Sequence, residues 1–291
     1  MDAMGEHGMY VGSGWDVARL SESEKAFWIA LWDAPVPDTL HDSGADSVGF
    51  GPVRALLVTA QRHDWGINCV LGAGEPGTVT HGHLADAVRL METRCFQMED
   101  ERGVDHRVPV VPGLAESAAA EEWLVERGYL RTDGAAKLIR DGSAPSFVEP
   151  EGIEVLDWDS WDDGFGGPLA ESLGLARMGN TFFACLLGDE GWRCYCGIVG
   201  NDPLAYVAMH VHEDVASIAL ASRPYPGRDG EGQLAVLQRC IEDARAVGCD
   251  SFVLVDAGGE APIGDRESLL RAGFEVAYRV PSWRSPVRVT A

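Results

Sequence analysis

Residues 218–248 read IALASRPYPGRDGEGQLAVLQRCIEDARAVG, and the rest of the chain is understood from this stretch outward. An apolar run ends in a turn rich in Pro and Gly, and an amphipathic helix follows at once. Leu234, Leu237, Ile241 and Ala244 recur at helical spacing, with Cys240 and Val247 beside them. Gly227, Gly230 and Gly232 fall where strand becomes helix. Such a junction leaves backbone N–H groups unpaired at the positive end of a helix dipole, and glycine lets an anion approach them closely. No Lys-Ser/Thr pair follows the glycines, so this is not a Walker loop. Their order, G-x-x-G-x-G, is not the Rossmann G-x-G-x-x-G either.

These residues resemble the acyl-CoA-binding segment of the GNAT acyltransferase superfamily, whose loop reads Gln/Arg-x-x-Gly-x-Gly/Ala between its fourth strand and third helix. Gly230 and Gly232 fill the two small positions. Gly227 stands where Gln or Arg is usual, and Arg228 comes one position late. Downstream, a strand at 250–256, a short helix ending in Ala272-Gly273-Phe274 and a strand at 275–280 keep the family's order; the resemblance covers residues 152–288. It implies an α/β fold with mixed, mostly antiparallel sheets flanked by helices, and acetyl-CoA or another acyl-CoA as substrate, without a metal. It also implies that backbone N–H groups of Leu220, Ala221 and Ser222 polarise a thioester carbonyl. Gly227, Arg228, Asp229, Gly230, Gly232 and Gln233 would hold the pyrophosphate, with Arg223 or Arg228 pairing phosphates.

N-acyl transfer needs a neutral amine placed against the thioester, an oxyanion donor and a route for the amine proton. Many family members take the proton with a Glu on the fourth strand, but residues 215–222 hold no carboxylate. The nearest candidates are Glu213, His210 and His212, each of which also fits a plain strand-end surface position. The family's general acid, a Tyr four residues before the Gly of its Gly-Phe pair, is replaced by Leu269. Tyr225, Ser268 and Arg266 are nearby alternatives. A thiol with a pKa of roughly 8.5 leaves tolerably unaided.

At 291 residues the chain has room for two modest domains, and its apolar fraction of 46% fits a globular protein. No run approaches the roughly 18 apolar residues of a membrane span, and the N-terminus has no apolar signal core, so a cytoplasmic protein is expected. The net charge of −23 divides evenly, with 12 basic and 23 acidic residues up to Phe147 and 11 and 23 after it. This counts against extended nucleic-acid binding and suits a cationic amine substrate. Two lysines against 21 arginines is the codon bias of a GC-rich bacterial genome, such as an actinobacterium's. Seven scattered cysteines predict reduced core thiols, with Cys194 and Cys196 on one face of a strand.

Ser21-Glu22-Ser23-Glu24 reads as a capping box before an aromatic stripe of Phe27, Trp28 and Trp32, which predicts core. Residues 34–51 read as loop. Strands are expected at 53–59, 66–71, 107–111 and 135–140, with helices from about 80 and over 115–127. The segment 141–151 reads as a linker, and a meander at 192–199, 204–211 and 215–222 turns at 201–203 and 212–214. Residues 160–173 and 180–187 read as helical, and Trp158, Trp161, Phe165, Phe182 and Phe183 as core or as an acceptor-cleft wall.

The order helix, strand, short helix, small-Gly-aromatic, strand occurs at 84–140 and again at 232–280, with Arg127-Gly128-Tyr129 matching Ala272-Gly273-Phe274. The chain therefore divides into a tail (1–14), a degenerate N-terminal GNAT-like copy (15–147) and a C-terminal acyl-CoA-binding copy (148–291). The expected activity is transfer of an acyl group from acyl-CoA to a small-molecule amine, by a monomer or homodimer. A carrier-protein or aminoacyl-tRNA donor, and a binding role without turnover, stay open.

Overall fold

A computed structural model describes residues 14–34, 44–61, 64, 67–93, 104–147, 150–158, 163–173, 175, 186, 190–222, 228, 230–255 and 265–286. The strands are β1 Ala45–Phe50, β2 Val53–Val58, β3 Cys69–Leu71, β4 Arg107–Pro109, β5 Leu130–Asp141 and β6 Glu154–Asp157. They continue with β7 Trp192–Val199, β8 Asp202–His212, β9 Val215–Ser222, β10 Ser251–Leu254 and β11 Glu275–Arg284. The helices are α1 Val17–Asp33, α2 His83–Thr93, α3 Ser117–Glu126, α4 Asp163–Ser172, α5 Glu231–Ala246 and α6 Arg266–Arg271.

Among the described residues eleven strands form one sheet, in the order β1-β2-β3-β4-β11-β5-β10-β9-β8-β7-β6. The repeat is visible in it. Each half holds one parallel pair, β3 with β4 and β9 with β10, each joined through a helix, α2 or α5; the other pairings are antiparallel. Each half then runs through a short helix to its last strand. Those last strands are exchanged: β5 of the first half lies against β10 of the second, with Phe252 opposite Arg140, and β11 returns to lie between β4 and β5. Because β4, β11, β5 and β10 alternate in direction, β4 and β10 point opposite ways. The two parallel pairs therefore open at opposite ends of the sheet.

The small-Gly-aromatic repeat is a helix stop. Gly128 and Gly273 take left-handed backbone (φ 75° and 86°). The Gly128 and Tyr129 N–H groups donate to the Val125 and Leu124 carbonyls; those of Gly273 and Phe274 donate to Leu270 and Leu269. Both aromatic rings then turn into the core.

One face of the sheet carries α2, α3, α5 and α6, and the other carries α1 and α4. α1 spans the halves, its Phe27, Trp28, Leu31 and Trp32 packing on Leu56 and Cys69 on one side and on Trp192 and Tyr206 on the other. Phe27 meets Trp192 edge-on at 4.9 Å between ring centroids, so the aromatic stripe is core. Cys194 and Cys196 share that face and are buried, reduced thiols. Among the described residues no helix is long and apolar enough to cross a membrane.

Several local expectations are corrected. α1 starts four residues before the expected capping box, because the Asp16 side chain accepts from the Arg19 N–H and so caps it earlier. Residues 45–50, expected in a loop, form β1, an edge strand whose ADSVGF sequence lacks alternation. Asp202 and Pro203 are strand residues paired with Val199 and Ile198; the turn is Gly200-Asn201, with Gly200 at φ 62°. β5 and β11 run longer than their apolar segments because each borders the other along the junction. The expected helix at 180–187 falls outside the described residues except for Leu186, as do Trp161, Phe182 and Phe183 and the side chain of Phe165.

Candidate functional site

In the second half, β9 and β10 run in parallel register from Ser251–Val215 to Leu254–Ile218, and the Val255 N–H donates to the Ile218 carbonyl at 2.9 Å. β10 ends at Leu254, whereas β9 continues as Ala219, Leu220, Ala221 and Ser222, held by β8 on its other edge. Ala219 and Ala221 face the α1 side and Leu220 faces α5. Small side chains thus line the stretch of β9 that outruns its parallel neighbour.

α5 begins just beyond. Gly230, its N-cap, is left-handed at φ 74°, and no side chain caps the helix. The Glu231 N–H donates to the Arg228 carbonyl at 3.2 Å, and the Gly232 and Gln233 N–H groups follow it at the positive end of the helix, where an anion is favoured. Both glycines are also fixed by packing. A Cβ on Gly230 would fall 1.8 Å from Ser268 Oγ and 2.6 Å from Asp265 Oδ2, and one on Gly232 would fall 2.4 Å from Leu204 Cβ.

The side chains predicted for the cofactor are placed as follows. Gln233 is fully buried, its Oε1 accepting from the Asp265 N–H (2.8 Å) and its Nε2 donating to the Asp265 carbonyl (2.9 Å). It docks α6 on α5. Arg228 donates from Nη1 to the Glu151 carbonyl at 3.0 Å and lies 3.6 Å from Glu231 Oε2. Gly227 and Asp229 lie outside the described residues, with Arg223 and Tyr225. Leu269, at the family's Tyr position, is buried core.

The proposed bases lie elsewhere. His212 and Glu213 sit at the β8–β9 turn, where β9 begins, while the loop to α5 leaves its far end. Eight strand residues separate the two ends, about 23 Å at 3.3 Å per residue. His212 and Glu213 instead line an open cleft of about 410 Å³ with Asp16, Glu22 and Glu75, beside the first half's loop. Glu213 has φ 54°, the left-handed backbone of a tight turn. His210 pairs across to Ser217, four residues before Ala221, and its ring lies 4.9 Å from that of Trp192. Tyr206, which the sequence reading passed over, sits directly opposite Ala221 on the same face. Only strand register shows this. The cysteines are no substitute: burial pushes the Cys69 thiol up to about 11 and that of Cys194 up to about 12, so neither is a thiolate near neutrality.

The equivalent loop of the first half is filled. Glu116, N-cap of α3, reaches into the turn before α2. Its Oε2 accepts from the Val79 N–H (2.6 Å) and the Thr80 N–H (3.3 Å), and its Oε1 from the Gly77 N–H (2.9 Å) and the Thr80 hydroxyl (2.8 Å). These backbone donors hold its carboxyl well below the usual range, at about 2. The corresponding N-cap of α6 is Asp265, which accepts from the N–H and hydroxyl of its own Ser268.

No protein-family model matches this sequence, and no curated protein is significantly similar to it. Solved structures do match in fold. A GCN5-related N-acetyltransferase from Kribbella flavida superposes with a TM-score of 0.54 at 18% identity, over 94% of this chain and 96% of that one. One from Sphaerobacter thermophilus gives 0.54 at 17%, over 94% of both chains. A tandem GNAT protein from the clavulanic acid biosynthesis pathway gives 0.52 at 14%, over 82% and 79%. With its two parallel strand pairs, each followed by a helix stop and a final strand, this chain has the GNAT fold in its tandem form.

Proposed function

We propose that the chain is an acyl-CoA-dependent N-acyltransferase for a small-molecule amine, and that the second half alone takes the thioester. The observation that carries this is the left-handed Gly230 at the start of α5, just beyond the stretch of β9 that outruns β10, whereas the first half's turn is filled by its own Glu116. The fold of the neighbouring N-acetyltransferases supports the reaction class. Bound acyl-CoA would supply an activated thioester carbonyl with a thiol leaving group. Backbone N–H groups at the end of β9 would polarise that carbonyl, and the first turn of α5 would receive phosphate. Strand register, which sets Tyr206 opposite Ala221, supports Tyr206 as the candidate to relay the amine's proton.

A binding role without turnover is favoured by a different observation: the Asp265 carboxylate lies against Gly230, where it opposes phosphate, and the family's acid position is a buried Leu269. Calorimetric titration of the full chain with acetyl-CoA and CoA, coupled to hydrogen exchange, separates the two. Micromolar binding with protection of residues 219–233, and none at 72–82, is expected. Protection at 72–82 instead, or no binding at millimolar ligand, rejects the proposal.

A further inference from the structure

Asp265 holds a fixed negative charge against the start of α5. A Cβ on Gly230 would fall 2.6 Å from its Oδ2, so the carboxylate touches the residue from which that helix begins. The side chain is not free to swing aside. Oδ2 accepts from the Ser268 N–H (2.9 Å) and the Ser268 hydroxyl (2.6 Å), and the Asp265 backbone is clamped by the buried Gln233 of α5 at 2.8 and 2.9 Å. The Ser268 hydroxyl is the main reason its carboxyl titrates below the ordinary range, so it is ionised at neutral pH. Among the described residues no cation forms an ion pair with it, and Arg271 acts on it only at a distance.

The repeat gives this residue a counterpart. Glu116 and Asp265 each N-cap the short helix of their half. Glu116, one methylene longer, reaches the Val79, Thr80 and Gly77 N–H groups, whereas Asp265 bonds within its own helix. The positive end of a helix is equivalent to roughly half an elementary charge. A whole carboxylate charge against Gly230 offsets it, and a phosphate arriving there meets like charge. Arg228 gives little relief, because it lies 3.6 Å from Glu231 of the same turn.

We infer that Asp265 determines which thioester donor the second half prefers, by weakening the hold of α5 on a diphosphate. The uncharged thioester arm of the donor, rather than its phosphates, then supplies most of the affinity, and a phosphate-free pantetheine thioester competes with acyl-CoA. This rests on the acyl-transfer reading.

Dissociation constants of the full chain for acetyl-CoA and for S-acetylpantetheine, which lacks the phosphates, test it. Asp265→Asn keeps an N-capping side chain and removes the charge. It should tighten acetyl-CoA by about threefold to tenfold and leave S-acetylpantetheine within about twofold, with a gain that shrinks as salt rises. Unchanged or weaker acetyl-CoA binding, or an equal gain for both ligands, overturns the inference and leaves the acyl-transfer reading standing. If neither ligand binds any variant at millimolar concentration, that reading fails and the inference with it. Should Asp265→Asn not fold, Asp265→Ser, also neutral and a strong N-cap, decides by the same comparison.

Discussion

Glu116 Oε2 lies 2.6 Å from the Val79 N–H, so a carboxylate of the first half occupies the turn that precedes its own α2. The Gly77 and Thr80 donors complete the cradle. Because the folded-state pKa is depressed, to about 2, the charged carboxylate's contribution is fully present above the ordinary carboxylate range and is lost as pH falls towards 2. Glu116→Ala should lower the melting temperature at neutral pH and speed amide exchange at Val79 and Thr80. The gap from wild type should narrow on acidification. A gap that does not change with pH would mean the carboxylate's charge is not what holds the turn.

Glu213 is the only described non-glycine residue with positive φ, at 54°. Left-handed backbone costs an ordinary side chain about 1–2 kcal/mol. Glu213→Gly should therefore raise stability, by up to about 1 kcal/mol once the added freedom of the unfolded glycine is set against it. Denaturant midpoints check this, and a destabilised variant would contradict it.

The same turn gives a kinetic expectation. A general base contributes about 10²–10⁴-fold to rate. With β9 separating His212 and Glu213 from the Leu220–Ser222 segment, His212→Ala and Glu213→Ala should each leave turnover within about twofold under the proposed function. A hundredfold loss in either would place the chemistry at the other end of the sheet.

Gln233 bridges α5 to the Asp265 backbone through two hydrogen bonds. Gln233→Ala removes both hydrogen bonds to the half-buried Asp265 backbone and should cost about 1–2 kcal/mol. Chemical denaturation would read this loss. A side chain serving only the cofactor would instead change acetyl-CoA affinity and leave stability alone.

Gly232→Ala puts a Cβ 2.4 Å from Leu204 Cβ and should destabilise by about 1–3 kcal/mol through overpacking. In the Leu204→Ala background that penalty should shrink, and a double-mutant cycle measures the coupling. Additive effects would show that the helix shifts freely. The same closeness makes Gly230→Glu a poor probe of ligand binding, since it would drive a side chain into Ser268 and Asp265.

Much of this protein was legible in one dimension. The alternation of 192–199 and 215–222, the helical spacing of Leu234, Leu237 and Ile241, and the paired Gly128-Tyr129 and Gly273-Phe274 stops are local signals. Side-chain period and glycine's backbone freedom suffice to encode them. They were enough to find the repeat and the start of α5. The exchange of β5 and β11, the placing of His212 and Glu213 at the wrong end of β9 for that loop, the opposition of Tyr206 and Ala221, and the seating of Glu116 on Val79 were decided only in the tertiary structure. Each joins residues far apart in sequence. Sequence periodicity says which face a side chain takes, but strand order, direction and register decide what it meets across the sheet.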